Sequence, residues 1–358
     1  MKPHTLVIAE AGVNHNGSIE TGLALVDAAA SAGADVVKFQ SFRADKLVTV
    51  HAPKAQYQVS NTGEGGSQLA MLAKLELRDE DHSALIERAR QRGIRFMSTG
   101  FDAESLAFLA TLGMPAIKIP SGDITCAPLL LQAAQFRQKL IVSTGMSTLE
   151  DIENALGVIA FGLTHDDAPR GRADCRAAFA SGAGRAALGE YVTLLHCVTQ
   201  YPAPPEAVNL RAMRTMAETF GLPVGYSDHT LGIDVSIAAV ALGATVIEKH
   251  FTLDRTMPGP DHLASLEPDE LERMVAGIRT VESALGAEAK QPAPQEIPNL
   301  PIARRSLVAA RAISRGEKFT KDMLVAKRPG TGISPLELWD LIGTTAVRDF
   351  AIDEFISR

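Results

Sequence analysis

At 358 residues the chain is too long for one ordinary domain and about right for a barrel of ~250 residues with a smaller companion. Apolar residues make up 46 % and aromatics 5 %, which suits a large aliphatic core; no apolar run is long enough to span a bilayer and no h-region opens the chain, so a cytoplasmic address without membrane contact is expected. A formal net charge of −7 argues against nucleic acid as a partner, and Cys126, Cys175 and Cys197 form no CxxC pair, which argues against a disulfide framework or a zinc knuckle.

In chain order, eight short β-branched runs end in polar residues, and each is followed by a stretch with helical apolar spacing. They read LVIAEAG from residue 6, VVKFQSF from 36, RFMSTGF from 95, AIKIPSG from 116, LIVSTGM from 140, VTLLHCV from 192, PVGYSDH from 223 and VIEKHFT from 246. Helices are predicted at 18–32, 79–92, 103–112, 126–137, 148–161, 209–220, 232–242 and 268–285. SAGADVVK, TLGMPAIK and ALGATVIEK repeat one unit, with Gly where a helix ends and a strand ending in Lys just beyond. Eight strand–helix units predict a parallel (β/α)8 TIM barrel over residues 1–285, since the GxGxxG turn of an open dinucleotide-binding sheet is missing.

Two segments interrupt the pattern. Residues 41–78 form a long loop on the face where barrel active sites lie, a candidate lid; residues 163–190 precede the sixth strand on the opposite face and receive no chemistry. The Pro-rich residues 286–300 read as a linker. Residues 301–358 then predict a small α+β module, with strands at SLVAARAI, VAKRPG and TAVRDF and a short helix from Thr320; a module of this size needs something to dock on.

Polar residues at the carboxyl ends of barrel strands mark the functional face. Here they include Glu10, Lys38, Gln40, Ser98, Thr99, Lys118, Ser121, Ser143, Thr144, Ser227, His229, Glu248 and His250. One strand-end Ser usually caps a helix, and one His is usually a hydrogen-bonded structural residue. Two histidines on neighbouring strands about 4.8 Å apart are different, because both imidazoles can reach one cation. So few protein ligands leave open positions, which suits octahedral Mn²⁺ or Mg²⁺ acting as a Lewis acid. Lys38 and Lys118 supply local positive charge for an anionic substrate, with the hydroxyls of Ser121, Ser143 and Thr144 beside them, and Glu10 is placed as general base.

The motifs EAGVNHNGS at 10–18, VVKFQ at 36–40, KIPSGD at 118–123, STGMS at 143–147, LLHCVTQYP at 194–202, GYSDHT at 225–230, EKHFT at 248–252, PGPDH at 258–262 and KRPGTG at 327–332 occur together and in order. In them the chain resembles the N-acetylneuraminate (sialic acid) synthase family, which includes legionaminate and pseudaminate synthases, over nearly its whole length. The resemblance implies condensation of phosphoenolpyruvate with an open-chain N-acyl amino sugar. The sugar expected is of the N-acetylmannosamine type, giving N-acetylneuraminate and phosphate; the alternative is 2,4-diacetamido-2,4,6-trideoxymannose, giving N,N'-diacetyllegionaminate.

It further implies a divalent metal, Mn²⁺ with Mg²⁺ or Co²⁺ as alternatives, on His229 and His250, and Glu10, Lys118 and Glu248 in the catalytic group. Lys38, Lys118, Ser121, Ser143 and Ser227 match phosphoenolpyruvate-holding positions, with Thr99 and Thr199 close by; Gln40, Asn61, Tyr201 and Asp261 match sugar-contacting ones. The tail resembles the antifreeze-like (SAF, β-clip) module of that family, in which Arg328 reaches the N-acyl group in a domain-swapped homodimer. Two departures fall near the phosphoenolpyruvate side: Asp123 where some members carry Glu, and Thr199 where some carry Asn. A non-catalytic sugar- or ice-binding protein is the remote alternative; a flat ice-binding surface has no use for Glu10, Lys118, His229 and His250 together.

Overall fold

The eight β-branched runs form strands β1 (Leu6–Gly12), β2 (Val36–Ser41), β3 (Arg95–Gly100), β4 (Ile117–Ile119), β5 (Leu140–Ser143), β6 (Val192–Cys197), β7 (Val224–Asp228) and β8 (Val246–His250). In the computed structural model, which describes residues 4–62 and 65–358, they pair in parallel in chain order, and β8 returns to β1 to close the barrel. Gly63 and Glu64, within the expected lid, lie outside the described residues. The expected helices are observed, two of them at the predicted limits, Asp79–Arg92 and Pro268–Leu285.

Side chains of Val7, Ile8, Ala9, Val36 and Val37 are wholly buried, because each strand has filled barrel on one face and helix on the other. The repeated Gly of the three αβ units is Gly33, Gly113 and Gly243, with φ of 78°, 68° and 98°; this left-handed backbone ends each helix and turns the chain into the next strand. Helix starts are capped at the mouth of the barrel: Ser18, Asp102 and Thr148 accept the backbone N–H groups of Thr21, Ser105 and Asp151. Strand β4 is shorter than AIKIPSG suggests, since Pro120 has no N–H for the ladder and Ser121–Asp123 coil into a 3₁₀ turn.

Both interruptions hold more structure than expected. Residues 172–191 form two helices, Arg172–Ala180 and Gly182–Tyr191, that pack Cys175, Ala178 and Leu188 against helix Leu149–Thr164. Ser181 joins them, its N–H closing the first helix on Ala177 O and its hydroxyl capping the second at Gly184 N. Residues 41–78 contain three short helices, Ala44–Leu47, Gln56–Thr62 and Gln68–Leu72. Phe42 and Leu75 from this segment bury against Val13, with Leu47, Leu72 and Phe101 around them. Its backbone is tied by Arg43 N to Asp102 Oδ2 (3.0 Å) and Ala44 N to Glu76 Oε1 (2.7 Å). The expected long loop therefore carries short helices of its own.

His15, in the turn after β1, is wholly buried; its Nδ1 accepts from Gly17 N–H (3.0 Å) and its Nε2 has no partner. Burial above all, opposed by the charge of Asp81, holds its pKa down at about 4. The unfolded chain takes up a proton near pH 6.5 that the folded state refuses, so this contribution is complete above that pH and is lost on acidification towards 4. In denaturant titrations, the stability difference between wild type and His15→Gln is expected to shrink by about 3 kcal/mol from pH 7 to pH 4. Parallel pH curves for the two proteins would assign the acid sensitivity to other groups.

The chain divides after Gly286, and residues 287–358 form a second unit. Its antiparallel pair, β9 (Ser306–Ala309) and β10 (Leu324–Lys327), covers a core of Leu307, Ile313, Phe319, Leu341 and Phe350. The expected helix from Thr320 is a 3₁₀ turn, Lys321–Met323, and the expected strand TAVRDF pairs only through single bridges, Lys318 with Thr345 and Ile313 with Phe350. Within the stretch read as linker, Ile297–Asn299 form a 3₁₀ turn leading into helix Leu300–Ala303. Among the described residues no helix is long and apolar enough to cross a membrane.

Candidate active site

Side chains alternate along a strand, so one set at each carboxyl end turns into the barrel and the next turns out to the helices. The inward set converges on a cavity of about 380 Å³ lined by Glu10, Lys38, Gln40, Thr99, Lys118, Ser121, Ser143, Thr199, Tyr201, Ser227, His229, Glu248, His250 and Asp261. Strand pairing places them: Glu10 is level with Lys38 and with His250, Thr99 with Gln40 and Lys118, and Ser227 with Glu248. Ser98 and Thr144 face the other way. Ser98 bonds Ser41 (2.7 Å), and Thr144 donates to Leu195 O (2.9 Å), so neither hydroxyl is offered to a ligand in this cavity. A larger apolar cavity of about 490 Å³ lies between helices Ala127–Gln135, Leu149–Thr164 and Arg172–Ala180, away from every strand-end cation and imidazole.

Two ammonium groups and two carboxylates interlock at the cavity floor. Lys38 Nζ lies 2.6 Å from Glu10 Oε2 and 3.6 Å from Glu248 Oε1, while Lys118 Nζ lies 3.4 Å from the same Glu248 oxygen. Lys38 also donates to Thr99 Oγ1 (2.9 Å), Lys118 to Ser143 Oγ (2.8 Å), and Gln40 Nε2 to Glu10 Oε1 (3.1 Å). All four charged groups are buried. Desolvation raises the Glu10 carboxyl, with Lys38 opposing and Glu248 adding to it. At Glu248 the same desolvation is outweighed by Lys118 and Lys38, and its pKa falls. Desolvation lowers Lys118 despite Glu248, whereas at Lys38 the two carboxylates overcome desolvation and raise it.

The imidazoles sit above this floor with ring centroids 5.7 Å apart. His229 Nδ1 meets Val198 O at 2.6 Å, which fixes that nitrogen as the donor and leaves the Nε2 lone pair available; His250 Nδ1 is buried without a partner. Desolvation drives both pKa values down, to about 4 for His229 and well below the usual value for His250, so both rings are neutral at pH 7. Tyr201 packs on His229 with centroids 4.1 Å apart. The partnerless Oε2 of Glu248 is a further unsatisfied buried acceptor beside them. Among the described residues no group of three or more His, Cys, Asp or Glu side chains has metal-holding geometry, so a cation here would have two imidazoles and otherwise water or substrate.

Several contributors carry no charge pattern that a sequence reading would pick out. Gly12 follows an irregularity in the β1–β2 pairing and has φ of 55°; a Cβ there would stand 3.3 Å from both Gln40 Nε2 and His250 Cε1. Gly145 donates its N–H to Ser121 Oγ (3.0 Å), and a Cβ on it would meet Thr199 Oγ1, Ser121 Oγ and Cys197 Sγ within 2.9 Å. The STG and EAG strings are the only signal for these two. Asp123 Oδ2 is buried without a partner, and burial pushes its carboxyl up to about 6; burial, with the charge of Glu10, pushes Asp261 to about 7. The 41–78 segment lines the cavity with Phe42, Leu47, Val48, Met71, Leu72 and Leu75, and with the amides of Gln58 and Gln68 among them.

One expected site residue of the barrel unit lies off the cavity lining. Asn61 donates its amide to Pro260 O (2.6 Å), beside Asp261, clasping the 41–78 segment to the loop after β8. Arg328 is exposed in the second unit, its Nε on Ala303 O (2.9 Å).

Residues 25–290 match the family model described as NeuB family, and residues 304–357 match the SAF domain. The chain belongs to the NeuB family. It is similar to the N,N'-diacetyllegionaminic acid synthase of Campylobacter jejuni, 47 % identical with 98 % of each chain covered, and to that of Legionella pneumophila, 46 % identical over 94 % of this chain and 89 % of the relative. Among solved structures it is similar to the N-acetylneuraminic acid synthetase of Leptospira borgpetersenii in complex with citrate, at 30 % identity and a TM-score of 0.67, covering 82 % of this chain and 90 % of that one. The NeuB match spans most of the barrel, and the SAF match accounts for the second unit.

Proposed function

We propose that this NeuB-family enzyme condenses phosphoenolpyruvate with 2,4-diacetamido-2,4,6-trideoxymannose in its open-chain form, releasing phosphate and N,N'-diacetyllegionaminate. The observation that carries the reaction is the single cavity in which Lys38, Lys118, Glu10, Glu248, His229 and His250 converge. The choice of sugar departs from the N-acetylmannosamine expected from sequence. It is supported by the 46–47 % identity to legionaminic acid synthases and by the apolar side chains of Phe42, Leu47, Val48, Met71, Leu72 and Leu75, which outnumber Gln58 and Gln68 on the wall they share. A 6-deoxy methyl and a second acetamido methyl gain from such a wall, whereas the C4 and C6 hydroxyls of N-acetylmannosamine lose water there.

Lys38 and Lys118 hold the carboxylate and phosphate of phosphoenolpyruvate, with Ser121, Ser143, Ser227 and Thr199 offering hydroxyls. Buried ammonium groups already paired to Glu248 can turn to an incoming trianion with little reorganisation. Gln40, Tyr201 and Asp261 line the side left for the sugar. The residues present fit a divalent cation on His229 and His250, because both rings are neutral and each presents a nitrogen with no protein partner. When bound, the cation supplies Lewis-acid polarisation of the aldehyde.

Phosphoenolpyruvate C3 forms the new C–C bond to the aldehyde carbon, which leaves C2 electron-deficient. Water adds at C2 as Glu10 takes one of its protons and passes it to the former aldehyde oxygen; the resulting hemiketal phosphate then collapses to the ketone, breaking the C2–O bond as its hydroxyl proton leaves with phosphate. A raised Glu10 pKa suits a base that later returns its proton. Phosphate-release assays with the two sugars test the choice of substrate: kcat/KM is expected to favour the diacetamido-trideoxy sugar by at least about tenfold, the scale of one to a few buried methyl groups. Equal or reversed preference would return the substrate to the N-acetylmannosamine type.

The SAF unit is proposed to complete the site of a second copy. Arg328 is supported in this role by its exposure and by a guanidinium held at Nε while its fork stays available for an acyl carbonyl. Glu10→Gln and Arg328→Ala are each expected to be inactive, yet their isolated heterodimer should recover close to half of the wild-type rate per dimer, because one site then carries both lesions and the other neither. Heterodimers without recovery would assign Arg328 to its own chain.

A further inference from the structure

The motifs GYSDHT and EKHFT contain residues that the proposed chemistry leaves unused. Ser227, His229, Glu248 and His250 face the cavity, while Asp228 and Lys249, between them, face the helices. These two are register partners across β7 and β8, are both 0 % exposed, and form an ion pair with Lys249 Nζ 2.9 Å from Asp228 Oδ2. Asp228 Oδ2 also accepts from Ser236 Oγ (2.7 Å), and its Oδ1 accepts from Thr230 N (2.8 Å), Thr230 Oγ1 (2.8 Å) and Tyr226 OH (3.3 Å). Lys249 Nζ donates in turn to Thr230 O (2.5 Å).

This network grips the backbone on both sides of His229. Asp228 precedes that residue, Thr230 follows it, and both are bound to Lys249, the residue immediately before His250. The two imidazoles thus spring from one cross-link between their strands. Holding the barrel together does not require it, since a buried ion pair replaced by apolar groups of similar volume often leaves stability unchanged or improved. An apolar pair would lack the directional bonds to Thr230, and a metal site works only when its ligands are held to within about 0.5 Å.

We infer that the Asp228–Lys249 pair is a positioning device that sets the spacing of His229 and His250 and so governs affinity for the divalent cation. The inference rests on the reading of those histidines as the cation site. It gives the pair no contact with substrate, so phosphoenolpyruvate binding, which uses Lys38, Lys118 and Ser227, stays independent of it.

The test uses the full chain with both charges removed together, Asp228→Asn with Lys249→Met, and His250→Ala as reference. Mn²⁺ affinity is read from the electron paramagnetic resonance signal of the free ion, alongside Tm and the calorimetric affinity for phosphoenolpyruvate. The double variant is expected to fold with near-wild-type Tm and unchanged phosphoenolpyruvate affinity, but with Mn²⁺ Kd raised about 10–100-fold, the usual effect of releasing the groups that orient metal ligands. Its turnover should return at high Mn²⁺. Wild-type Mn²⁺ affinity in the folded double variant, with loss in His250→Ala, would overturn the positioning role alone. Wild-type affinity in both would remove the cation site, and the inference with it. Should the double variant fail to fold, Ser236→Ala decides: weaker Mn²⁺ binding with unchanged phosphoenolpyruvate binding supports the role, and unchanged Mn²⁺ binding refutes it.

Discussion

Removing divalent cations with a chelator is expected to abolish turnover while the barrel stays folded. The cavity already contains two neutral imidazoles with unpartnered nitrogens, and the barrel is held by its core of aliphatic side chains, not by a cation between them. The case is opposite to a zinc finger, where the metal supplies the folding energy. Loss of a bound cation lowers Tm only by the linkage term set by its concentration relative to Kd, and unfolding remains cooperative. His250→Ala should reproduce the loss and resist rescue at modest Mn²⁺. Full activity in chelated, metal-free enzyme would remove the cation from the mechanism.

Glu10→Gln should lower kcat by about 10²–10⁴ with little change in KM, as loss of a general base generally does. The amide preserves the volume; its oxygen can still accept from Lys38, and its NH2 can meet Gln40 once the Gln40 amide turns its own oxygen towards it, so the strand ends keep their places. Lys38 retains Glu248 as a counter-charge at 3.6 Å, and the phosphoenolpyruvate side is not left with an uncompensated cation. What disappears is the proton acceptor near C2. A rise in KM with unchanged kcat would make Glu10 a binding residue and move the base elsewhere.

The barrel was legible because its signals are local and repeat. Each of Gly33, Gly113 and Gly243 ends a helix with positive φ, as the repeated SAGADVVK-type strings predict. The cavity was legible in part because polar side chains at the ends of buried strands have few structural uses. Strand spacing alone did not separate Thr99 from Ser98, or Ser143 from Thr144, because adjacent hydroxyls face opposite ways and a one-residue uncertainty in strand limits reverses the assignment; only the family resemblance chose Thr99 and Ser143. Gly12 and Gly145 act by having no side chain, and their role appears only when Gln40, His250 and Thr199 are brought against them. The apolar side chains of the cavity wall come from residues 42–75, where short helices are stabilised by tertiary burial rather than by propensity, so their sequence lacks a clear period. Helices Arg172–Ala180 and Gly182–Tyr191 escaped notice for a related reason: their exposed faces are rich in Arg, Ala and Gly, and the apolar stripe is reduced to Cys175, Ala178 and Leu188.

The most direct test of the account is to incubate the enzyme with phosphoenolpyruvate, Mn²⁺ and 2,4-diacetamido-2,4,6-trideoxymannose, and to analyse the products by mass spectrometry. With phosphoenolpyruvate labelled by ¹⁸O at the bridging position, the account predicts N,N'-diacetyllegionaminate without the label and phosphate carrying it, as C–O cleavage at C2 requires. Label retained in the sugar acid, or no condensation product from any open-chain N-acyl amino sugar, would contradict it.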